Sequence, residues 1–220
     1  NIYASITENV VVSKDRQADC LTVLVNSKQI GSKYFEGITV DTIPVIYNLI
    51  QRLEIFKCSY YSFLHCSYPT DIDFKKDFSL VLDEYKEMIS ACKIMTKESK
   101  DRDKGYTEFK GKSNLGVSWS VRTTSKYLTA PYTKIYHKGL EFLPSTNGKD
   151  SSAFKDMYLS DVDTSNIIRI ETTVKNKKHL EALKIGLLSF NLNELLNLSM
   201  EQKDIILKKA ITSHLNPRSK

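Results

Sequence analysis

The chain has 220 residues, 41% of them hydrophobic and 26% charged, with a formal net charge of +6. This is an ordinary globular composition, long enough for one domain or one and a half with an independent core. No apolar run approaches the roughly 18 to 20 residues that span a bilayer, and the N-terminus lacks the basic-then-apolar plan of a signal peptide. The expectation is therefore a soluble, intracellular protein with no membrane partner. Cys20, Cys58, Cys66 and Cys92 form no C-x-x-C pair and have no histidine at zinc-finger spacing, which argues against a zinc site or a disulfide framework. Between Lys93 and Lys138 eleven basic residues face four acids, a net of +7, so the rest of the chain sums to −1. A basic segment inside a neutral protein suits a phosphate-binding surface; its plain alternative is a solvated lysine-rich loop.

In chain order, residues 21–26 read as a strand, followed by a turn at Gly31 and the aromatic pair Tyr34-Phe35. Asp41-Thr42-Ile43-Pro44 supplies an N-cap and a first-turn proline for a helix to about Phe56, with Ile43, Ile46, Tyr47, Ile50 and Leu53 on one face. The aromatic run at 60–66 is expected as a buried strand leading to Pro69. After Asp71-Ile72-Asp73, residues 77–95 are expected as a helix carrying Phe78, Val81, Leu82, Tyr85, Met88, Ile89 and Cys92 at helical spacing. Residues 97–114 lack periodicity and read as a loop. Strands are expected at 116–123 and 132–137, then a loop at 144–152, a strand of alternating character at 167–174, and helices near 178–188 and 191–198. Ser199-Met200-Glu201-Gln202 fits a capping box that opens a last helix to about His214. Strands paired in sequence around a few helices predict an α+β fold, a mainly antiparallel central sheet with helices packed on one face. The division expected is an α+β domain over 1–190 and a C-terminal helical extension over 191–220.

Three strand-like blocks carry charged groups among apolar ones: 70–74 (TDIDF), 134–141 (KIYHKGLE) and 167–172 (IIRIET). On a strand, Asp71 and Asp73 point to one face and Ile72 and Phe74 to the other. Two carboxylates on one sheet face repel unless a positive charge lies between them, and a divalent cation is the usual solution. The alternative is a pair of solvated acids at a strand end. Arg169 and Glu171 alternate in the same way, with Glu171 as a metal ligand and Arg169 as a phosphate or structural partner, or with both simply ion-paired to Lys134 or Lys138 across the sheet. Lys134, Tyr136 and Lys138 occupy alternate positions, so the tyrosine can stack on a base, the lysines can neutralise phosphates, and a lysine beside a phenol can stabilise a phenolate. His137 faces the other way with Ile135.

These blocks resemble the rolling-circle replication initiators of small plasmids and filamentous phages, which nick DNA and belong to the HUH-like class. The shared layout is an R/T-x-I/V-D-hydrophobe strand, a later Y-x-K-x-x-E strand and an R-x-E strand some thirty residues on; its counterparts here are 70–74, 136–141 and 169–171. The resemblance covers about Tyr60 to Val174. It implies an HUH-like initiator fold in the cytoplasm of a bacterial host, acting on DNA as an origin hairpin or single strand alongside host replication proteins. It further implies a divalent metal, Mg²⁺ or Mn²⁺, held by Asp71, Asp73 and Glu171, and a tyrosine that attacks a phosphodiester to leave a 5′-phosphotyrosine link and a free 3′-hydroxyl. No His-hydrophobe-His pair exists among His65, His137, His179 and His214, and these relatives also lack a clear one. They hold their tyrosine on the strand before Y-x-K, where this chain has Ser118-Trp119-Ser120-Val121-Arg122. The nucleophile is therefore sought first at Tyr127, which adjoins Lys126, and only second at Tyr132, whose place after Pro131 suits packing better, with Lys138 as a catalytic lysine. Arg122, Lys126, Lys134, Tyr136 and Trp119 are the expected DNA contacts. Two other readings are a non-catalytic DNA-binding protein on the same scaffold and a structural protein without a nucleic-acid role.

Overall fold

A computed structural model describes residues 2–13, 16–96, 104–108, 116–121, 132–143, 152–175, 177–182 and 185–215. It divides the chain into two compact units, residues 1–66 and 67–220. The first unit opens with an antiparallel hairpin of β1 (Ile2–Ser13) and β2 (Arg16–Val25). A 3-10 segment over Ser27–Phe35 follows, begun by the Asn26 side chain accepting from the Lys28 amide and kinked at Gly31 (φ 60°). Helix α1 (Ile43–Arg52) carries proline in its first turn and buries Ile43, Ile46 and Ile50. Residues 60–66, expected as a strand, form a second helix, α2 (Tyr60–Cys66). Their aromatic content favours a strand, but the Ser59 hydroxyl accepts from the Ser62 amide at 3.0 Å and starts a helical turn. Tyr47 then packs edge-on against Tyr60 and tilted against Phe63, and its hydroxyl donates to the Cys58 carbonyl.

The second unit is α+β, built on a five-stranded, wholly antiparallel sheet. Its strands are β3 (Ile72–Ser79), β4 (Lys104–Glu108), β5 (Gly116–Val121), β6 (Tyr132–His137) and β7 (Ile167–Val174), in the order β3-β7-β6-β5-β4. Strands β4 to β7 form a meander that returns to β3, and α3 (Leu82–Met95) links the two edge strands. Residues 77–79, expected at the start of the helix, instead complete β3, because all eight of its residues pair with β7. Residues 104–108, expected within a loop, are β4. Between β6 and β7 lie the short helices α4 (Lys138–Glu141) and α5 (Ser152–Tyr158); α6 (Lys177–Ala182), α7 (Leu192–Leu196) and α8 (Met200–His214) follow.

One face of the sheet is apolar and carries the helices. Helix α3 lays Tyr85, Ile89 and Cys92 against Val117, Trp119, Ile135 and Ile168. Leu180, Leu195, Ile206 and Leu207 of α6 to α8 close over Phe74 and Val174. The capping box is present: the Ser199 hydroxyl accepts from the Gln202 amide and the Gln202 side chain accepts from the Ser199 amide. Residues 191–220 were expected as an extension beyond 190, but the compact unit starts at Ser67 and includes them. The reason is burial, since Ile206 and Ala210 of α8 are completely enclosed. Among the described residues no helix is long and apolar enough to cross a membrane. Ile206→Ala should therefore lower the unfolding free energy by about 2 to 5 kcal/mol, read from urea denaturation; a change within about 0.5 kcal/mol, as at an exposed position, would make α8 dispensable to the core.

Candidate functional site

The opposite face of the sheet is polar. Register places Asp73, Thr173 and Tyr132 in one row across β3, β7 and β6; Lys75, Glu171 and Lys134 in the next; and Asp77, Arg169 and Tyr136 in a third. Side chains two residues apart on a strand share a face, so all three rows stand on the same side. Ser118 and Gly116 of β5 extend the second and third rows. At Gly116 a Cβ would come within 2.1 Å of the Ile135 carbonyl oxygen and 2.7 Å of the Tyr136 Cβ, so glycine is what lets β5 lie against Tyr136.

Charge complementarity organises this face. Lys134 Nζ lies 2.5 Å from Glu171 Oε1, and the Tyr136 hydroxyl donates to Glu171 Oε2 at 3.0 Å. Arg169 grips Asp77 with two parallel bonds, Nε to Oδ1 at 2.6 Å and Nη2 to Oδ2 at 2.7 Å. Lys75 Nζ donates to Asp77 Oδ2 at 3.4 Å, and the buried Lys138 ammonium donates to Glu141. Lys134 and Lys138 also stand 5.6 and 5.1 Å from the Tyr136 ring centroid, within cation–π reach. Glu171, Arg169, Tyr136 and Lys138 are all buried, so each ion pair acts with little screening.

The exception is Asp73. Its carboxyl, on an exposed residue of the edge strand, is pushed up to about 6 by desolvation and then by the negative charge of Glu171 in the next row; the Thr173 hydroxyl, donating to Oδ1 at 2.5 Å, and Lys134 pull the other way. Glu171 is held low: burial works against its charge, but Lys134, Asp73 and the Tyr136 hydroxyl together prevail. Lys138 and Lys75 are both pulled down to about 8, by desolvation first; Arg169 adds to this in each case, while Glu141 and Asp77 respectively oppose it. Two carboxyl groups in adjacent rows, lysines whose ammonium groups are pulled down to about 8 and a tyrosine are the kinds of group that proton transfer and cation binding use.

The residues expected from the sequence distribute as follows. Asp73, Glu171, Lys134, Tyr136 and Tyr132 come together. Asp71 is exposed just before β3 and lies 3.8 Å from Lys175, away from the pair. Lys138 lies on the edge of the cluster but is enclosed, so it reaches a substrate only through Tyr136 or Glu141. Arg169 is the structural partner of Asp77. Trp119, expected to stack on DNA, is 2% exposed on the apolar face. Its indole donates to the Thr96 hydroxyl and stacks on His214, because in the register of β5 it alternates with Ser118. His137 faces the core with Ile135, edge-on to Tyr85, and its Nδ1 accepts from the Leu140 amide to start α4. Tyr127, Lys126 and Arg122, with most of the basic segment, lie outside the described residues. The sequence reading missed Asp77 and Thr173; period-2 alternation through residue 77, rather than helical spacing from it, is the signal that finds the first.

A divalent cation of the Mg²⁺ type takes one or two carboxylates and completes its shell with water and substrate phosphate. Asp73 and Glu171 fit that demand: two acids in adjacent rows of one face, with like charges that a cation would relieve. Among the described residues no group of three or more histidines, cysteines or acids that could hold a metal ion gathers, and Asp71, expected as a third ligand, stands apart beside Lys175. Compared with known proteins, the chain matches no family model, no curated protein and no solved structure.

The Arg169–Asp77 pair gives a pH test. Partial burial raises the Asp77 carboxyl, but the guanidinium prevails and holds it below its ordinary value. A depressed carboxylate adds stability above the ordinary carboxylate range near about 4, lost as pH falls through the lower folded value. Asp77→Asn should therefore cost about 3 kcal/mol of unfolding free energy at pH 7, with the difference from the unmodified chain shrinking below about pH 4. Urea denaturation across pH checks this, and a pH-independent difference contradicts it.

Proposed function

We propose that the protein is a DNA-nicking replication initiator of the rolling-circle type, which uses a tyrosine hydroxyl and a divalent metal to open one strand of origin DNA. The observation that carries this reading is the placement of Asp73 and Glu171 in adjacent rows of one polar sheet face, beside Lys134 and two tyrosines. The three sequence blocks that resemble rolling-circle initiators supply all of these residues except Tyr132, and the resemblance is independent of how the strands pair. Asp73 and Glu171 would hold Mg²⁺ or Mn²⁺, which when bound polarises a phosphodiester and favours the ionised form of a nearby hydroxyl. The chain's own residues do the rest. Lys134 and Tyr136 fix the Glu171 carboxylate, Thr173 orients Asp73, and the Arg169–Asp77 pair keeps β3 and β7 in register beneath them.

A structural reading, in which the charges only pair across the sheet, is favoured by the ion pairs of Glu171, Asp77 and Glu141. It leaves Asp73 and Glu171, like charges in adjacent rows of one face, without a purpose, because neighbouring acids weaken a sheet that needs only stability. The non-catalytic DNA-binding reading loses its stacking platform with the burial of Trp119.

Nicking predicts a covalent product. The full chain, incubated with Mn²⁺ and a pool of randomised single-stranded and hairpin oligonucleotides labelled at the 3′ end, should yield a labelled protein band that survives denaturing electrophoresis. Chelation should abolish it, and Glu171→Gln should lower it at least about tenfold, as for loss of a metal-site group. Unlabelled protein under every condition would sink the nicking reading.

A further inference from the structure

A tyrosine that cleaves DNA must present its hydroxyl where a phosphodiester can reach it. Among the described residues, the polar sheet face carries two tyrosines, both on β6, and their surroundings differ. Tyr136 is 6% exposed, its hydroxyl is committed to Glu171 Oε2 at 3.0 Å, and two ammonium groups flank its ring. To attack, it would have to break that bond, release the carboxylate and leave an enclosed position. Tyr132 is four residues earlier on the same face and is partly exposed. It stands directly opposite Thr173, which stands opposite Asp73 and donates to its carboxylate at 2.5 Å. The phenol thus ends the row that holds the accessible member of the carboxyl pair. Lys134 Nζ, the cation that neutralises Glu171, lies 6.0 Å from the Tyr132 ring centroid.

We infer that Tyr132 is the attacking nucleophile and that Tyr136 is a positioning residue that holds Glu171 in place. This rests on the nicking reading and adds to it the division of labour between the two tyrosines. In the step, the Tyr132 phenol oxygen bonds to phosphorus as the bond from phosphorus to the 3′ oxygen breaks. The phenol proton passes to solvent, and the leaving 3′ oxygen takes one up from solvent as a hydroxyl. The product is a phosphodiester between Tyr132 and the 5′ end of the downstream strand, and no oxidant or cofactor is consumed. The partly exposed position of Tyr132 allows entry of a single strand, whereas the fully paired groups around Tyr136 favour rigidity.

The test uses the unmodified full-length chain with Mn²⁺ and the randomised 3′-labelled pool. The labelled adduct is trimmed with nuclease, digested with protease, and the nucleotide-bearing peptide is located by mass spectrometry. The expected result is modification at Tyr132, loss of the adduct in Tyr132→Phe with an unchanged circular dichroism spectrum, and a weaker adduct still mapping to Tyr132 in Tyr136→Phe. Binding of Mn²⁺ alone, followed by loss of the free-ion paramagnetic resonance signal, should weaken about tenfold in Tyr136→Phe; unchanged binding overturns the positioning role. Modification of any other residue, Tyr127 included, overturns the assignment of Tyr132 while leaving nicking intact. Absence of an adduct from the unmodified chain overturns nicking and this inference with it.

Discussion

Strand β7 is the element on which the site depends, because it is paired on both sides. With β3 on one flank and β6 on the other, each side chain of its polar face meets a neighbour from either direction. Glu171 falls between Lys75 and Lys134, Arg169 between Asp77 and Tyr136, and Thr173 between Asp73 and Tyr132. A slip of one residue would turn these groups towards the helices and expose Ile168 and Val174, which are completely buried. Burying that many charges against α3 and α8 is prohibitive, so the apolar core and the polar cluster enforce the same register. The fold and the candidate site are two faces of one constraint.

Within that register the charges are arranged for more than stability. Arg169 with Asp77 and Lys138 with Glu141 are compensated pairs in low-solvent surroundings, where a bidentate guanidinium and an enclosed ammonium recover much of the cost of desolvation. Asp73 and Glu171 break the pattern. One cation, Lys134, serves both, and the acid farther from it is driven up to about 6.

Much of this was legible in the sequence wherever alternation was clean. The parity of Asp73 against Phe74, of Arg169 and Glu171 against Ile168 and Ile170, and of Tyr136 against His137 gave the faces correctly, because a pleated strand leaves little freedom in side-chain direction. The capping box at Ser199 and Gln202 located α8 to the residue. Failures came where composition and local hydrogen bonding disagree. Tyr60 to Cys66 has a strand's aromatics but a serine-started turn, and Asp77 and Phe78 fit either period until Arg169 is seen opposite. Trp119 was read by its chemistry as a DNA contact; its neighbour Ser118 has the face that a contact would need. The burial of Lys138 was not legible at all, since it depends on α4 folding back so that its ammonium meets Glu141 and the rings of Tyr136 and Phe142. Nor does a strand pattern tell which of two tyrosines on one face is enclosed, because that is decided by partners on β7.

The central claim is that Asp73 and Glu171 form one cation-binding pair on the polar face of the sheet. Its most direct measurement is the broadening of assigned amide resonances by substoichiometric Mn²⁺ in the full chain, since the paramagnetic effect falls steeply with distance. Broadening that begins at Asp73, Tyr132, Glu171 and Thr173, spares Ile206 and Leu207 beneath the opposite face, and disappears in Asp73→Asn is the predicted result. Broadening centred on other residues, or scattered evenly among surface acids and unchanged in that variant, would contradict the account.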